Sequence, residues 1–170
     1  FRTPSMKSRE ARVLDLISTY LSDGPSSKLY KRMVDKNKTA LQVQASNIAH
    51  EDYSMYYILS LPLGENSLND LTKEIEEEIS KVQQNLISEN DYEKLQNKFE
   101  NQFVNSNSSV SGIAVSLAEY FTLYGDANLI NSEIDIYRSI TREEIRDVAK
   151  KYLNTNQRLV LEYLPENEKK

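Results

Sequence analysis

Cysteine is absent from this sequence and histidine occurs once, at His50. Without thiols there is neither a disulfide framework nor a thiolate zinc site. With a single imidazole, neither His-Glu-x-x-His nor His-x-x-Glu-His can be written, and any Ser-His-Asp triad would have to be built on His50. Glycine and proline number four each. No Gly-x-Gly and no Gly-x-Ser-x-Gly occur, which removes the phosphate-cradling glycine loop and the nucleophile elbow. No apolar run approaches the roughly 20 residues needed to cross a bilayer. The opening Phe1-Arg2-Thr3-Pro4 lacks the apolar centre of a signal peptide, and does not read as a natural start. The sequence is therefore expected to be a piece of a longer chain. A basic block is missing too: 21 Lys and Arg are interleaved with 26 Asp and Glu for a net charge of −5, which argues against nucleic acid as a partner. A cysteine-free chain suits an oxidising compartment and the cytoplasm equally, so its location stays open.

What is present suits one soluble domain covering residues 1–170. A composition of 39% hydrophobic and 28% charged residues is ordinary for a globular, helix-rich protein, and this length supports a single core. Phe1 to Thr3 reads as the tail of a strand ended by Pro4. A first helix is predicted from about Met6 to Leu21, with Val13, Leu14, Ile17, Tyr20 and Leu21 on one stripe, stopped by Gly24-Pro25. Ser26 or Ser27 then caps a shorter helix with Leu29, Tyr30, Met33 and Val34 inward. The period changes at Leu41, Val43 and Ala45, which alternate with polar residues as in a strand with one wet face. A polar turn at His50-Glu51-Asp52 joins it to a second, more buried strand, Tyr53 to Leu63, as an antiparallel hairpin.

Ser67 starts a long helix with Leu68, Leu71, Ile75, Ile79 and Val82 inward. Ser88 with Asp91 opens the next, through Tyr92, Leu95, Phe99 and Phe103. Asn105 to Ser109 reads as a bend or mobile loop. Helices follow from Ile113 to Tyr124 and from Leu129 to Tyr137, and Thr141-Arg142-Glu143-Glu144 is a capping box leading into Ile145, Val148, Ala149 and Tyr152. Arg158 to Leu164 is predicted to be a last strand, closed by Pro165. A few antiparallel strands with helices on one face make an α+β two-layer sandwich.

No complete catalytic site emerges from these residues, and no catalytic, cofactor-binding or metal residue is assigned. His50, Glu51 and Asp52 are adjacent on a turn, point in different directions and make a poor chelate. Ser26-Ser27 reads as a cap, not a nucleophile, since nothing nearby activates it. Glu74, Glu76, Glu77 and Glu78 read as a solvated helix face, without the apolar pocket that acid chemistry requires. Two stretches suit binding better. Ser106 to Ser111 is small and polar and could border a cleft. Tyr53, Tyr56 and Tyr57 are of mixed strand parity, so some of these rings should reach a surface.

Several segments in order carry a resemblance. They are Leu14 to Val34 (LDLISTYLSDGPSSKLYKRMV), Leu41 to Ser46, Ser109 to Tyr120, Leu123 to Asp126, Ile140 to Leu153, and Arg158 to Tyr163. Together they span nearly the whole chain and resemble the C-terminal-type, non-zinc-binding domain of the insulinase/pitrilysin zinc metallopeptidases, which include the mitochondrial processing peptidases. The resemblance implies a domain of the LuxS/MPP-like metallohydrolase type, forming half of a clamshell that encloses an unfolded peptide. Zinc is implied for the parent on an inverted His-x-x-Glu-His motif in another domain, and no cofactor for this one. In several relatives the equivalent domain supplies an Arg and a Tyr near the end of the second helix to bind substrate. Here Val34 and Leu41 stand there, and neither can donate to an oxyanion, so that role is not carried over.

The expectation is a non-catalytic domain of a zinc peptidase that shapes the chamber and the domain interface. Its partners would be a zinc-bearing N-terminal domain or a partner subunit of the same family, and a peptide substrate, with no nucleic acid and no membrane span. The alternative is a domain of a zinc-less homologue acting as a binding or assembly subunit, since fold does not fix function. A free-standing helical adaptor ranks last.

Overall fold

The structure is a computed structural model that describes residues 1–164. Three antiparallel strands form one sheet in the order β1–β3–β2, comprising β1 (Arg2–Pro4), β2 (Ala40–Ile48) and β3 (Tyr53–Pro62). Six α-helices accompany it: α1 (Arg9–Ser22), α2 (Leu68–Gln84), α3 (Glu89–Ser106), α4 (Val110–Glu119), α5 (Glu133–Arg138) and α6 (Arg142–Tyr152). The α+β two-layer reading holds, with α1 laid against β2 and α6 packed on both α1 and α2.

Local chemistry explains most boundaries. Ser8, Ser67, Ser88, Ser109 and Thr141 each accept a backbone N–H in the first turn of the helix that follows, which satisfies donors a helix start leaves unpaired. At Thr141 the capping box is complete, with Glu144 accepting from the Thr141 N–H. The Ser8 cap also sets α1 later than the predicted Met6. After α1 the chain turns at Gly24 in the left-handed region, φ +87°. The predicted second helix exists, but Tyr30–Lys36 winds as a π-helix. It is closed by Lys38 at φ +54°, followed by Thr39 donating its N–H to the Met33 carbonyl.

The expected antiparallel hairpin forms, and in its register Val43 faces Ser60, Gln44 faces Leu59 and Ala45 faces Ile58, with an irregularity between Ala40 and Gln42. Its inward face, with Val43, Ala45 and Tyr56, joins Leu14, Ile17, Leu21, Leu29 and Met33 in the core, which extends to Ile79, Val82, Ile140 and Ile145.

Of the bend or mobile loop expected at Asn105 to Ser109, the structure has the bend: α3 runs to Ser106, residues 107–109 turn, and Ser109 caps α4. Two expectations are corrected. The predicted helix Leu129 to Tyr137 is two pieces, a 3-10 turn at Ala127–Asn131 and then α5. Arg158 to Leu164 is not a strand; these residues pair with no strand among the described residues, and Leu159, Leu161 and Tyr163 are exposed. Strand propensity supplies no hydrogen bonds by itself, and a ladder needs a facing edge within reach. Here Arg158 leaves the end of α6 on the α2 side, where its guanidinium donates to Glu76 at 2.5 Å. Pro165 lies outside the described residues.

Candidate interaction face

The candidate chemical groups are dispersed. His50 sits exposed in the β2–β3 turn; its carbonyl accepts from Met6 N–H and its N–H donates to the Ser54 hydroxyl. An open hollow of about 440 Å³ runs beside it, bordered by Met6, Glu51, Asp52 and Leu123. Among the described residues no group of three or more His, Asp or Glu side chains could hold a metal ion. These residues therefore do not fit zinc. Ser27 is tied into the turn, its hydroxyl donating to the Gly24 carbonyl at 2.7 Å. Val34 packs against the core and Leu41 is exposed beside the β2 irregularity, so neither offers a donor.

The glutamate run of α2 is a solvated face only in part: Glu77 is exposed and Glu76 partly so. Glu74 and Glu78 are buried, and Arg32 of the π-helix donates to both, at 3.2 and 2.9 Å, as well as to Glu77. Asn37 adds a bond to Glu74 at 2.9 Å. The carboxylates fasten α2 to the π-helix. Sequence reasoning missed this because the partner cation lies more than forty positions away.

A second polar cluster lies under α1. Arg12 grips Glu133 of α5 through two hydrogen bonds, at 2.8 and 3.0 Å. One turn on, Asp15 accepts from the Tyr137 hydroxyl at 3.0 Å and from Asn47 of β2 at 3.3 Å. Burial pushes the Asp15 carboxyl up to about 6; the Tyr137 and Asn47 bonds and Arg12 oppose that rise, while Glu133 adds to it. Because the folded-state pKa lies above the unfolded value of 3.8, this group's contribution is fully present below about pH 4 and lost as pH rises through 6. The Asp15→Asn substitution keeps an acceptor for Asn47 and removes the charge. We expect it to raise stability at pH 8 by on the order of 2 kcal/mol relative to pH 4. Denaturant melts of both proteins at the two pH values check this; a pH-independent difference would sink it.

What remains is a surface. The outward parity of β3 places Met55, Tyr57, Leu59 and Leu61 beside Gln42, Gln44, Ser46 and Ile48 of β2. Among the described residues no helix covers this face: Met55, Leu59 and Leu61 are exposed. Its one charge among the described residues of β1, β2 and β3 is Arg2, whose guanidinium lies 3.7 Å from the centre of the Tyr53 ring. As expected, the tyrosines divide by parity, Tyr56 fully buried and Tyr53 outward. The signal for the rest of the face was in the sequence: β3 is apolar at both parities, the pattern of a strand covered on both sides. In this chain only one side is covered.

The family model described as peptidase M16 inactive domain matches residues 1–99. A zinc protease, PqqE of Helicobacter pylori, is 26% identical over 160 residues, covering 92% of this chain and 35% of its own length. The chain thus spans about a third of that relative. A crystal structure of an inactive peptidase domain from Bordetella parapertussis has a TM-score of 0.82 at 21% identity, covering 97% of this chain and 87% of that one. A chain of complex III from Candida albicans has a TM-score of 0.71 at 11% identity, covering 88% of this chain and 38% of that one. At these identities the two structures speak to the fold alone.

Proposed function

This chain belongs to the peptidase M16 inactive-domain family, and from that premise we propose that it is the non-catalytic domain of a longer zinc-dependent peptidase, its open sheet face forming part of the wall of a peptide-enclosing chamber. The observation that carries this reading is the uncovered β2–β3 face, broad, apolar and nearly uncharged. An extended peptide presents backbone groups and alternating side chains, and a flat apolar sheet with amide side chains along one strand accepts many such sequences without reading charge. Zinc and its activated water would come from another domain of the parent, since these residues do not fit the ion. The part played by this chain is to hold a rigid surface: Arg32 with Glu74 and Glu78, and Arg12 with Glu133, fix the helices behind the sheet.

The test is zinc content and peptide cleavage of the longest native polypeptide that contains this sequence, run beside the 170-residue chain. About one zinc per long chain, as a catalytic site with one open position requires, with cleavage, and neither in the short chain, is expected. The second reading is a zinc-less binding or assembly subunit, since fold does not fix function. A zinc-free and inactive long polypeptide would establish that one instead.

A further inference from the structure

One stretch of the chain is folded without being fastened to the rest. Between Leu95 and Glu133 no residue is fully buried. Within it α4 packs mainly on the turns that follow, a π-helical turn at Tyr120–Tyr124 and the 3-10 turn at Ala127–Asn131. Val110, Ile113, Leu117 and Phe121 form one apolar stripe along α4 and the turn after it, and all four are exposed. The stripe that normally holds an amphipathic helix to its core gives this one no hold. Hydrogen bonds do not supply one either. Among the described residues every hydrogen bond made by residues 107–131 ends within residues 103–132. None of residues 107–131 joins an ion pair among the described residues.

Both ends of the stretch are pinned. α3 is tied to the turn after α1, where Lys98 donates to the Asp23 carbonyl at 2.9 Å and Gln102 to the Asp23 carboxylate at 3.5 Å. α5 begins on Glu133, buried and paired with Arg12. The contacts in between are slight. The Tyr124 ring centre lies 5.7 Å from the Arg12 guanidinium, near the limit of a cation–π contact. Leu123 helps to border the hollow beside His50, together with Met6 and Tyr53. At Gly112 the helix folds closely back on the end of α3, where a Cβ would lie 2.1 Å from the Ser106 carbonyl oxygen. A segment with few buried apolar contacts and only local hydrogen bonds opens at low free energy. We infer that residues 107–131 form a flap, hinged at the turn after α3 and at Ser132, which swings off the body as one unit and takes the Leu123 side of that hollow with it. Tyr53 belongs to the open sheet face as well as to the hollow, so the position of the flap sets how far that face extends past its hairpin end. The flap is a property of this domain and holds whether or not the parent carries zinc.

Amide hydrogen exchange, read by mass spectrometry on the longest native polypeptide that contains this sequence, makes the test. With intrinsic rates divided out, amides of residues 113–131 should exchange on the order of a hundredfold faster than those of α1 and α6, yet still slower than in an unfolded chain. Two variants separate the units. Gly112→Ala, whose methyl meets the Ser106 carbonyl, should speed exchange across the whole of 113–131 by about tenfold and leave α1 and α6 unchanged. Ile145→Val, in the core under α6, should speed α1 and α6 about severalfold and leave the flap unchanged. Protection of residues 113–131 equal to that of α6 would overturn the proposal, and so would exchange there at the unfolded rate. A Gly112→Ala effect confined to α4 would mean local fraying, and one that reaches α6 as strongly would make the domain a single cooperative unit; either result sinks the flap.

Discussion

Arg12→Met is expected to cost about 3–5 kcal/mol of stability, the usual result of stranding one member of a buried ion pair. Arg12 and Glu133 are 7% and 6% exposed, so water cannot replace the lost partner. Their two parallel hydrogen bonds join α1 to the first turn of α5. For a chain of this size the loss corresponds to a fall in melting temperature of roughly 6–20 °C. The double variant Arg12→Met with Glu133→Leu should recover most of it, because apolar groups of similar volume can replace a buried pair at little cost. Thermal melts of the two single variants and the double variant at pH 7 make the check. A loss below about 1 kcal/mol, the value of a surface pair, would show that Glu133 reaches solvent and that the junction is loose.

Tyr137→Ala should be comparably damaging, at about 3–5 kcal/mol. The ring is buried and stacks on Phe99 with centroids 3.5 Å apart and planes 13° from parallel. Its hydroxyl is one of the two donors to Asp15. Tyr137→Phe separates the two contributions, since it keeps the ring and removes the donor. At pH 8, where Asp15 is charged, losing that bond should cost about 1.5–3 kcal/mol; at pH 5, where its carboxyl is protonated, about 1 kcal/mol or less. Urea midpoints at both pH values read the difference. A Tyr137→Phe cost that ignores pH would mean that Asp15 draws its support from Asn47 alone.

The parts of the fold legible in the sequence are those decided within a few residues. Ser67, Ser88 and Thr141 mark helix starts because a side-chain oxygen there meets an N–H only three residues on. The hairpin is legible because the four residues between Ile48 and Tyr53 leave an antiparallel return as the short route. The Tyr53, Tyr56 and Tyr57 parity is legible because side chains alternate on a strand. The family resemblance is legible for a related reason: it lies in the order of such local signals.

What failed had distant causes. The α2 glutamates look solvated until Arg32 is folded against them. Arg12 and Asp15 sit in α1 with nothing nearby to say that Glu133 and Tyr137, over a hundred residues on, will neutralise one and donate to the other. Arg158 to Leu164 has the composition of a strand, but the facing edge is a property of the assembled sheet.

The sequence by itself determined an α+β domain, where most helices and strands begin, and that one histidine and no cysteine exclude the paired-histidine and thiolate zinc motifs. It could do so because caps, periodicity and side-chain inventory are short-range or compositional facts. The tertiary structure alone decided which charges are buried in pairs, that the outer face of β3 lacks a cover, and that the apolar stripe of α4 points away from the core. Those depend on which surfaces meet, and an apolar residue is drawn equally to any surface that excludes water, whether it belongs to this chain or to another.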